Sequence, residues 1–180
     1  MTSKPKLVVS TGAGISAESG IKTFRDADGL WENYPVMDVA SADGFRRNPA
    51  LIHSFYNQRR RQLADVRPNR AHEILRELEE RFDVYVITQN VDDLHERAGS
   101  SKVLHLHGEL AKVRALDDPD LTFKIEPGVE TTPETRIEGH AVRPHIVFFQ
   151  EAVPMFEPAT ELAAQADVFV IVGTSLVVYP

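Results

Sequence analysis

The chain has no cysteine among its 180 residues, so neither a disulfide framework nor a thiolate zinc site is open to it. That absence permits a cytosolic home, and the cytoplasm is the expected location. A surplus of positive charge is also missing. The formal net charge is −7, which argues against nucleic acid as the main partner. Arg59-Arg60-Arg61 is a local basic run and not a basic face. No apolar run approaches membrane-spanning length, and Met1–Lys6 lacks the apolar centre of a signal peptide, so no membrane partner is expected. Internal repeats and low-complexity tracts are absent too. What remains, 42% hydrophobic and 26% charged, suits a globular chain with one core and a small insertion.

The most informative stretch is Leu7-Val8-Val9-Ser10-Thr11-Gly12-Ala13-Gly14-Ile15-Ser16-Ala17-Glu18-Ser19-Gly20. An apolar β-branched run stops at a small-residue turn, and a helix opens after it. Gly12 and Gly14 let backbone N–H groups approach an anion without hindrance from a Cβ, and the helix start adds unpaired donors and the positive end of a dipole. Ala17 stands where a Rossmann turn has its third small residue, so a weak G-x-G-x-x-G/A reading survives. A strand-to-helix turn that binds nothing is the other reading of the same residues.

Further along, Ile21–Trp31 reads as a polar loop beside that turn, suited to a ligand lid. Val39–Leu63 is helical, with Pro49 near a helix start. Asn69 or Arg70 leads into an amphipathic helix, Ala71–Arg81, with Ile74, Leu75 and Leu78 as its stripe. Val84–Thr88 reads as a strand buried on both faces, as parallel sheets require, and it empties into Gln89-Asn90-Val91-Asp92. Val103–Gly108 repeats the arrangement and delivers His105 and His107. Leu116–Ala141 shows little periodicity and reads as an irregular excursion. Ile146–Phe149 and Val168–Val172 restore the strand rhythm, the second ending in Gly173-Thr174-Ser175-Leu176. Strands alternating with helices imply an α/β fold, a doubly wound, mostly parallel Rossmann-like sheet with a small inserted domain. Ligands of such sheets bind outside the carboxyl ends of the strands, where Gly12–Gly14, Gln89–Asp92, His107 and Gly173–Ser175 all lie.

Gly12-Ala13-Gly14-Ile15-Ser16, Thr23-Phe24-Arg25, Asn69-x-Ala71-His72, Thr88-Gln89-Asn90-Val91-Asp92, His107-Gly108, Arg143-Pro144-His145 and Gly173-Thr174-Ser175-Leu176 together resemble the ordered motif set of the sirtuins. The resemblance runs from Lys6 to Pro180. It implies NAD-dependent removal of acyl groups from lysine in protein or peptide substrates, with release of nicotinamide and an O-acyl-ADP-ribose. On that resemblance the NAD-binding domain is 1–36, 72–112 and 143–180, and the small domain is a helical insertion, 37–71, with an irregular one, 113–142. The cofactor set is Gly12, Ala13, Gly14, Ile15, Phe24, Arg25, Gln89, Asn90, Asp92, His107, Gly173, Thr174 and Ser175. Asn90 and Asp92 hold the nicotinamide side, Gln89 meets the ribose, Arg25 helps close the site, and His107 is the general base. Histidine suits that task because it titrates near neutral pH. His105 competes with His107 only outside the family pattern. Asp93 and His95 read as surface or helix-cap groups.

Tyr56-x-x-Arg59 places both side chains on one side of a helix. It resembles the pair by which the class III, CobB-like subgroup recognises succinyl and malonyl chains, with Arg59 offering a planar fork to the terminal carboxylate. Ala40 matches the small residue that widens that subgroup's acyl pocket, and Val147 and Phe149 lie in the segment along which peptide substrate runs as an added strand. Deacetylation stays possible in a wide pocket. Three departures stand out. The family's zinc cysteines correspond to Ala115, Asp118, Thr135 and Glu138, so no metal is expected. Gln150 replaces a glycine. The chain stops at Pro180, where a sirtuin sheet continues, so the C-terminal part of the sheet is expected to be missing and an edge exposed. Two rivals keep the crevice: an NAD glycohydrolase or ADP-ribosyltransferase, and a non-catalytic module that senses NAD or ADP-ribose.

Overall fold

The computed structural model describes residues 4–22, 30–126 and 128–176. Its first elements are β1 (Lys6–Thr11), a 3-10 helix (Ala13–Ser19), β2 (Leu30–Trp31), β3 (Tyr34–Pro35), α1 (Val36–Val39), α2 (Ala42–Arg47), α3 (Pro49–Asp65) and α4 (Arg70–Leu78). Then come β4 (Asp83–Thr88), α5 (Leu94–Ala98), β5 (Val103–His105), β6 (Gly108–Ala115) and β7 (Thr122–Lys124). β8 (Arg136–Ile137), β9 (His140–Ile146), α6 (Phe156–Ala164) and β10 (Val168–Val172) complete the order. Two compact units result, one of Met1–Thr23, Val66–His107 and Val153–Pro180, the other of Phe24–Asp65 and Gly108–Ala152. These divisions differ from those expected of the sequence. Val66–Ala71 goes with the sheet-bearing unit because Asn69 ties it there, its Nδ2 donating to the Ile15 carbonyl at 2.8 Å and the Ser19 hydroxyl at 2.9 Å. Arg143–Ala152 goes with the smaller unit because β9 is laddered to β6.

In the first unit four parallel strands run in the order β10-β1-β4-β5. Side-chain alternation sorts their faces. Leu7, Val9, Val84 and Val86 cluster with Leu75 of α4 and with Ile15, while Val8 and Ile87 meet Ala159 of α6. Helices therefore cover both faces, and each fully buried valine contributes about 1.5–3 kcal/mol. The helix expected after the glycine turn is a 3-10 helix. Asn69 caps α4 by accepting from the Ala71 N–H at 2.9 Å, and His72 Nδ1 accepts from the Asn69 N–H at 3.3 Å. The stripe of α4 is Ala71, Leu75 and Leu78, whereas Ile74, expected inside, is 41% exposed. β10 lies at one edge of the described sheet, with Val168–Ile171 exposed.

In the second unit β7-β6-β9-β8 form an antiparallel sheet over Val113, Ile125 and Val142. The stretch expected to be irregular thus carries β7, β8 and the start of β9. Ile146–Phe149, expected as a strand of the main alternation, is instead the end of β9 and the turn after it. A short apolar run does not reveal which sheet it will join. Pro49 starts α3, where its missing N–H costs nothing. The arginine run is not solvated as a block, since Arg59 and Arg60 are buried. Asn57 of α3 exchanges two bonds with Thr131, Nδ2 to its carbonyl at 2.9 Å and Oδ1 from its N–H at 3.0 Å, and His53 Nδ1 meets its hydroxyl at 2.9 Å. This knot holds the excursion to α3. Ala115, expected to stand where the resembled family has a zinc cysteine, is buried. Among the described residues no group of three or more His, Asp or Glu is placed to hold a metal ion.

Candidate active site

The carboxyl ends of β10, β1 and β4 lie side by side. β1 sits between a strand reached early in the chain and one reached last, which is the switch point where doubly wound sheets bind ligands. The turns there are interlocked. The N–H groups of Gly12 and Gly14 donate to the carbonyls of Val172 at 3.0 Å and Gly173 at 2.7 Å, and Ile15 donates to Gly12 at 3.1 Å. A Cβ on Gly14 would stand 2.8 Å from Gly173 Cα, and one on Gly173, whose φ is +65°, 2.3 Å from the Ile15 nitrogen. Sequence reasoning assigns these glycines to an approaching anion. In the structure they first allow two turns to touch, and several donors of the turn are committed to that contact. Gly14 and Ser175 are exposed beside half-buried Ala13 and Thr174, which leaves an open, polar backbone surface suited to a dinucleotide. Thr174 donates its hydroxyl to Gln89 Oε1 at 3.2 Å, joining the last turn to the end of β4. Phe24 and Arg25 lie outside the described residues.

Asn90 and Asp92 are fixed by a buried network. The Asn90 N–H donates to Thr88 Oγ1 at 3.0 Å, and its Nδ2 donates to the Gly12 carbonyl at 3.2 Å and to Ser16 Oγ at 3.1 Å. Ser16 in turn donates to Asp92 Oδ2 at 3.0 Å, while Asp92 Oδ1 accepts from the Leu94 N–H at 3.2 Å. Burial raises the Asp92 carboxyl above its ordinary range, against those bonds from Leu94 and Ser16. Ser16, wholly buried, is the site residue that sequence reasoning leaves out. A serine closing Gly-Ala-Gly-Ile-Ser reads as turn chemistry, and only the fold shows it between Asn90 and Asp92.

The two histidines after β4 differ in their partners. His107 Nδ1 lies 3.0 Å from the Gln89 carbonyl. A carbonyl only accepts, so the proton sits on Nδ1 and Nε2 is left with its lone pair. Burial lowers the basicity of His107, opposed by that same bond, so the ring is neutral at pH 7 and able to take a proton. Gly108 after it has φ +84°, and a Cβ there would fall 2.0 Å from the His145 carbonyl, which explains the His-Gly pair. His95, expected at the surface, is wholly buried with Nε2 3.0 Å from Thr11 Oγ1, and burial pulls its pKa down to about 4. Asp93 does stand at the N-cap of α5, but its side chain makes no capping bond.

In the second unit the acyl-side candidates gather around α3. Ala40 is buried and its carbonyl accepts from the Phe149 N–H at 2.8 Å, while Phe149 is partly exposed and Val147 half-buried. Tyr56 is wholly buried between the rings of Phe55, Trp31 and Phe148, and its hydroxyl has no partner among the described residues. Arg59 stacks on Phe55 at 4.6 Å, with Nε and Nη1 buried and without a hydrogen-bond partner among the described residues. Burial lowers its pKa, opposed by the charge of Glu32. The turn after β9 is clamped. Glu151 takes bonds from Arg143 at 2.6 and 3.1 Å, from Arg114 at 3.1 Å and from the Phe148 N–H at 2.8 Å. Gln150 holds the left-handed φ of +76° that favours glycine, and it exchanges bonds with Asp43, Nε2 to Oδ2 at 2.7 Å and Oε1 from the N–H at 3.1 Å.

The profile of the Sir2 family matches residues 12–180. The NAD-dependent protein deacylase of Helicobacter pylori is 56% identical over 174 residues, which are 97% of this chain and 76% of that protein. The NAD-dependent protein deacylase of Bacteroides thetaiotaomicron is also 56% identical, over 179 residues, with the same coverage of 97% and 76%. Among solved structures, a Sir2 homologue in complex with NAD superposes with a TM-score of 0.87 at 40% identity, covering 98% of this chain and 71% of that one.

Proposed function

This chain belongs to the Sir2 family, and on that premise we propose that it is an NAD-dependent protein-lysine deacylase preferring acyl chains that end in a carboxylate, succinyl or malonyl. Bound NAD supplies an electrophilic ribose carbon and a leaving group, nicotinamide. The turns at Gly12–Ile15 and Gly173–Ser175 and the side chain of Gln89 hold the cofactor, and Phe24 and Arg25 help to enclose it. Asn90 and Asp92, fixed through Ser16, orient the nicotinamide side, and that pre-set geometry is the main catalytic lever. His107 uses its free Nε2 to take a proton from a ribose hydroxyl. Val147–Phe149 accepts the acyl-lysine peptide as an added strand, with Ala40 leaving room for the acyl chain.

The acyl preference rests on one observation. A wholly buried tyrosine hydroxyl and two buried guanidinium nitrogens one helical turn apart have no partner among the described residues. Buried polar groups are satisfied in the great majority of cases, and a carboxylate would complete this set. The test supplies matched acetyl-lysine and succinyl-lysine peptides with NAD and follows O-acyl-ADP-ribose by mass spectrometry. A higher kcat/KM for the succinyl peptide is expected, and equal or faster turnover of the acetyl peptide overturns the preference. Nicotinamide release that needs no acylated peptide would point instead to a glycohydrolase.

A further inference from the structure

His105 takes no part in the proposed reaction, yet its ring is largely shielded and bonded at both nitrogens. Its side chain is 8% exposed. Nδ1 lies 3.0 Å from the Asn90 carbonyl, and Nε2 lies 2.8 Å from Glu96 Oε1 of α5. A carbonyl and a carboxylate are both acceptors, so the geometry demands two protons between ring and carboxyl. Burial works to raise the Glu96 carboxyl, but the bond and charge of His105 outweigh it and hold it below its ordinary value. Among the described residues, charged and titratable groups that act on the ring are Asp92 on the segment after β4 and His95 and Glu96 on α5.

The backbone explains why this matters. His105 is in register with Thr88, the last residue of β4, whose hydroxyl accepts from the Asn90 N–H. The Asn90 backbone is thus gripped at its N–H by Thr88 and at its carbonyl by His105. From the geometry we infer that Glu96 and His105 form a positioning pair, an imidazolium locked to a carboxylate that fixes the 89–92 segment and so aims Asn90 and Asp92. The inference rests on the proposed NAD-dependent reaction for its meaning. Its physical content, the doubly protonated ring, stands apart from any activity.

The experiment combines ring spectroscopy with kinetics. In two-dimensional 15N NMR of the wild-type chain at pH 7.5, both His105 nitrogens should carry protons, and Glu96→Gln should remove the Nε2 proton while leaving Nδ1 protonated. One protonated nitrogen in the wild type overturns the inference. In nicotinamide-release assays, His105→Phe should lower kcat/KM for NAD about tenfold or more, as loss of an orienting partner does, with peptide KM unmoved. His105→Asn, which can still donate to the Asn90 carbonyl, should recover to within about threefold of wild type. A phenylalanine variant within about twofold of wild type, or an asparagine variant no better than phenylalanine, overturns it as well. If the wild type releases no nicotinamide, the enzymatic reading fails while ring protonation still decides this one.

Discussion

Arg59→Met separates a ligand-binding arginine from a structural one, because the two roles predict opposite signs. Arg59 is 7% exposed, with Nε and Nη1 unpartnered. Each buried donor left unsatisfied costs about 1–3 kcal/mol, and stacking on Phe55 returns about 0.5–2 kcal/mol. Methionine keeps the apolar stem, removes the charge and leaves no orphan donor. The free protein should therefore gain about 1–3 kcal/mol, which at this chain length is a rise in Tm of roughly 2–10 °C. Substrate should suffer in proportion. A charge-assisted bond to a carboxylate is worth about 1.5–3 kcal/mol, so kcat/KM for a succinyl peptide should fall about 10- to 150-fold. Acetyl turnover should stay within about threefold, because a methyl-ended chain offers the guanidinium no acceptor. Scanning calorimetry and paired peptide kinetics read both numbers. A Tm that falls by several degrees with the succinyl-to-acetyl ratio unmoved would refute the reasoning, since Arg59 would then be part of the fold alone.

Further outcomes follow from the same network. His107→Asn should cut deacylation about 10²–10⁴-fold, the share of a general base, with NAD affinity by calorimetry within a few-fold, and residual rate above a tenth refutes the role. Because burial holds His107 below its ordinary 6.5 and the neutral ring is the active form, kcat/KM should climb with pH to an inflection below 6.5 and then stay level. An inflection above 7 contradicts this. Gly173→Ala should cost about 2–4 kcal/mol, from a left-handed φ and from a Cβ 2.3 Å from the Ile15 nitrogen, and an unchanged urea midpoint would dispose of the turn-on-turn argument. Glu151→Gln should cost about 3 kcal/mol at pH 7 by stranding Arg143. Burial raises the Glu151 carboxyl, but the Arg143 bond and charge more than reverse it and hold it low. That stability is present above the unfolded carboxyl pKa and disappears as pH falls through the lower folded value. A penalty undiminished at strongly acid pH would show that charge is not its source.

The parallel sheet was legible because its strands are continuous β-branched runs, and Leu7–Thr11 and Val84–Thr88 are strands within a residue of their expected bounds. The smaller unit was not. Thr122–Lys124, Arg136–Ile137 and most of His140–Ile146 are short, polar or proline-containing, and only their antiparallel partners make them strands. Strand ends point to the candidate site, since Gln-Asn-x-Asp and His-Gly are polar clusters where an apolar run stops. Sequence could not supply the partners. Ser16 joins Asn90 to Asp92 across 74 residues of chain, and the glycines whose absent Cβ suggested a bound anion are needed by a neighbouring turn. His95 was misplaced for a related reason: a histidine in a short polar helix looks exposed until Thr11 is seen beside it.

His105 and His107, the proposed base, show how little separates a neutral ring from a fixed cation. The two residues stand two apart, and each points Nδ1 at a carbonyl of the 89–90 pair, Asn90 for His105 and Gln89 for His107, both at 3.0 Å. Up to that point the two rings are chemically alike, with one proton donated and one nitrogen undecided. The third partner decides. Glu96 meets Nε2 of His105 and secures a second proton there. Nε2 of His107 faces no such acid in the described structure, and burial keeps that ring neutral. Basicity at this strand end is therefore assigned by one carboxylate on α5. Bringing an acid to His107 should charge that ring, and taking Glu96 from His105 should leave that one neutral, without moving either backbone.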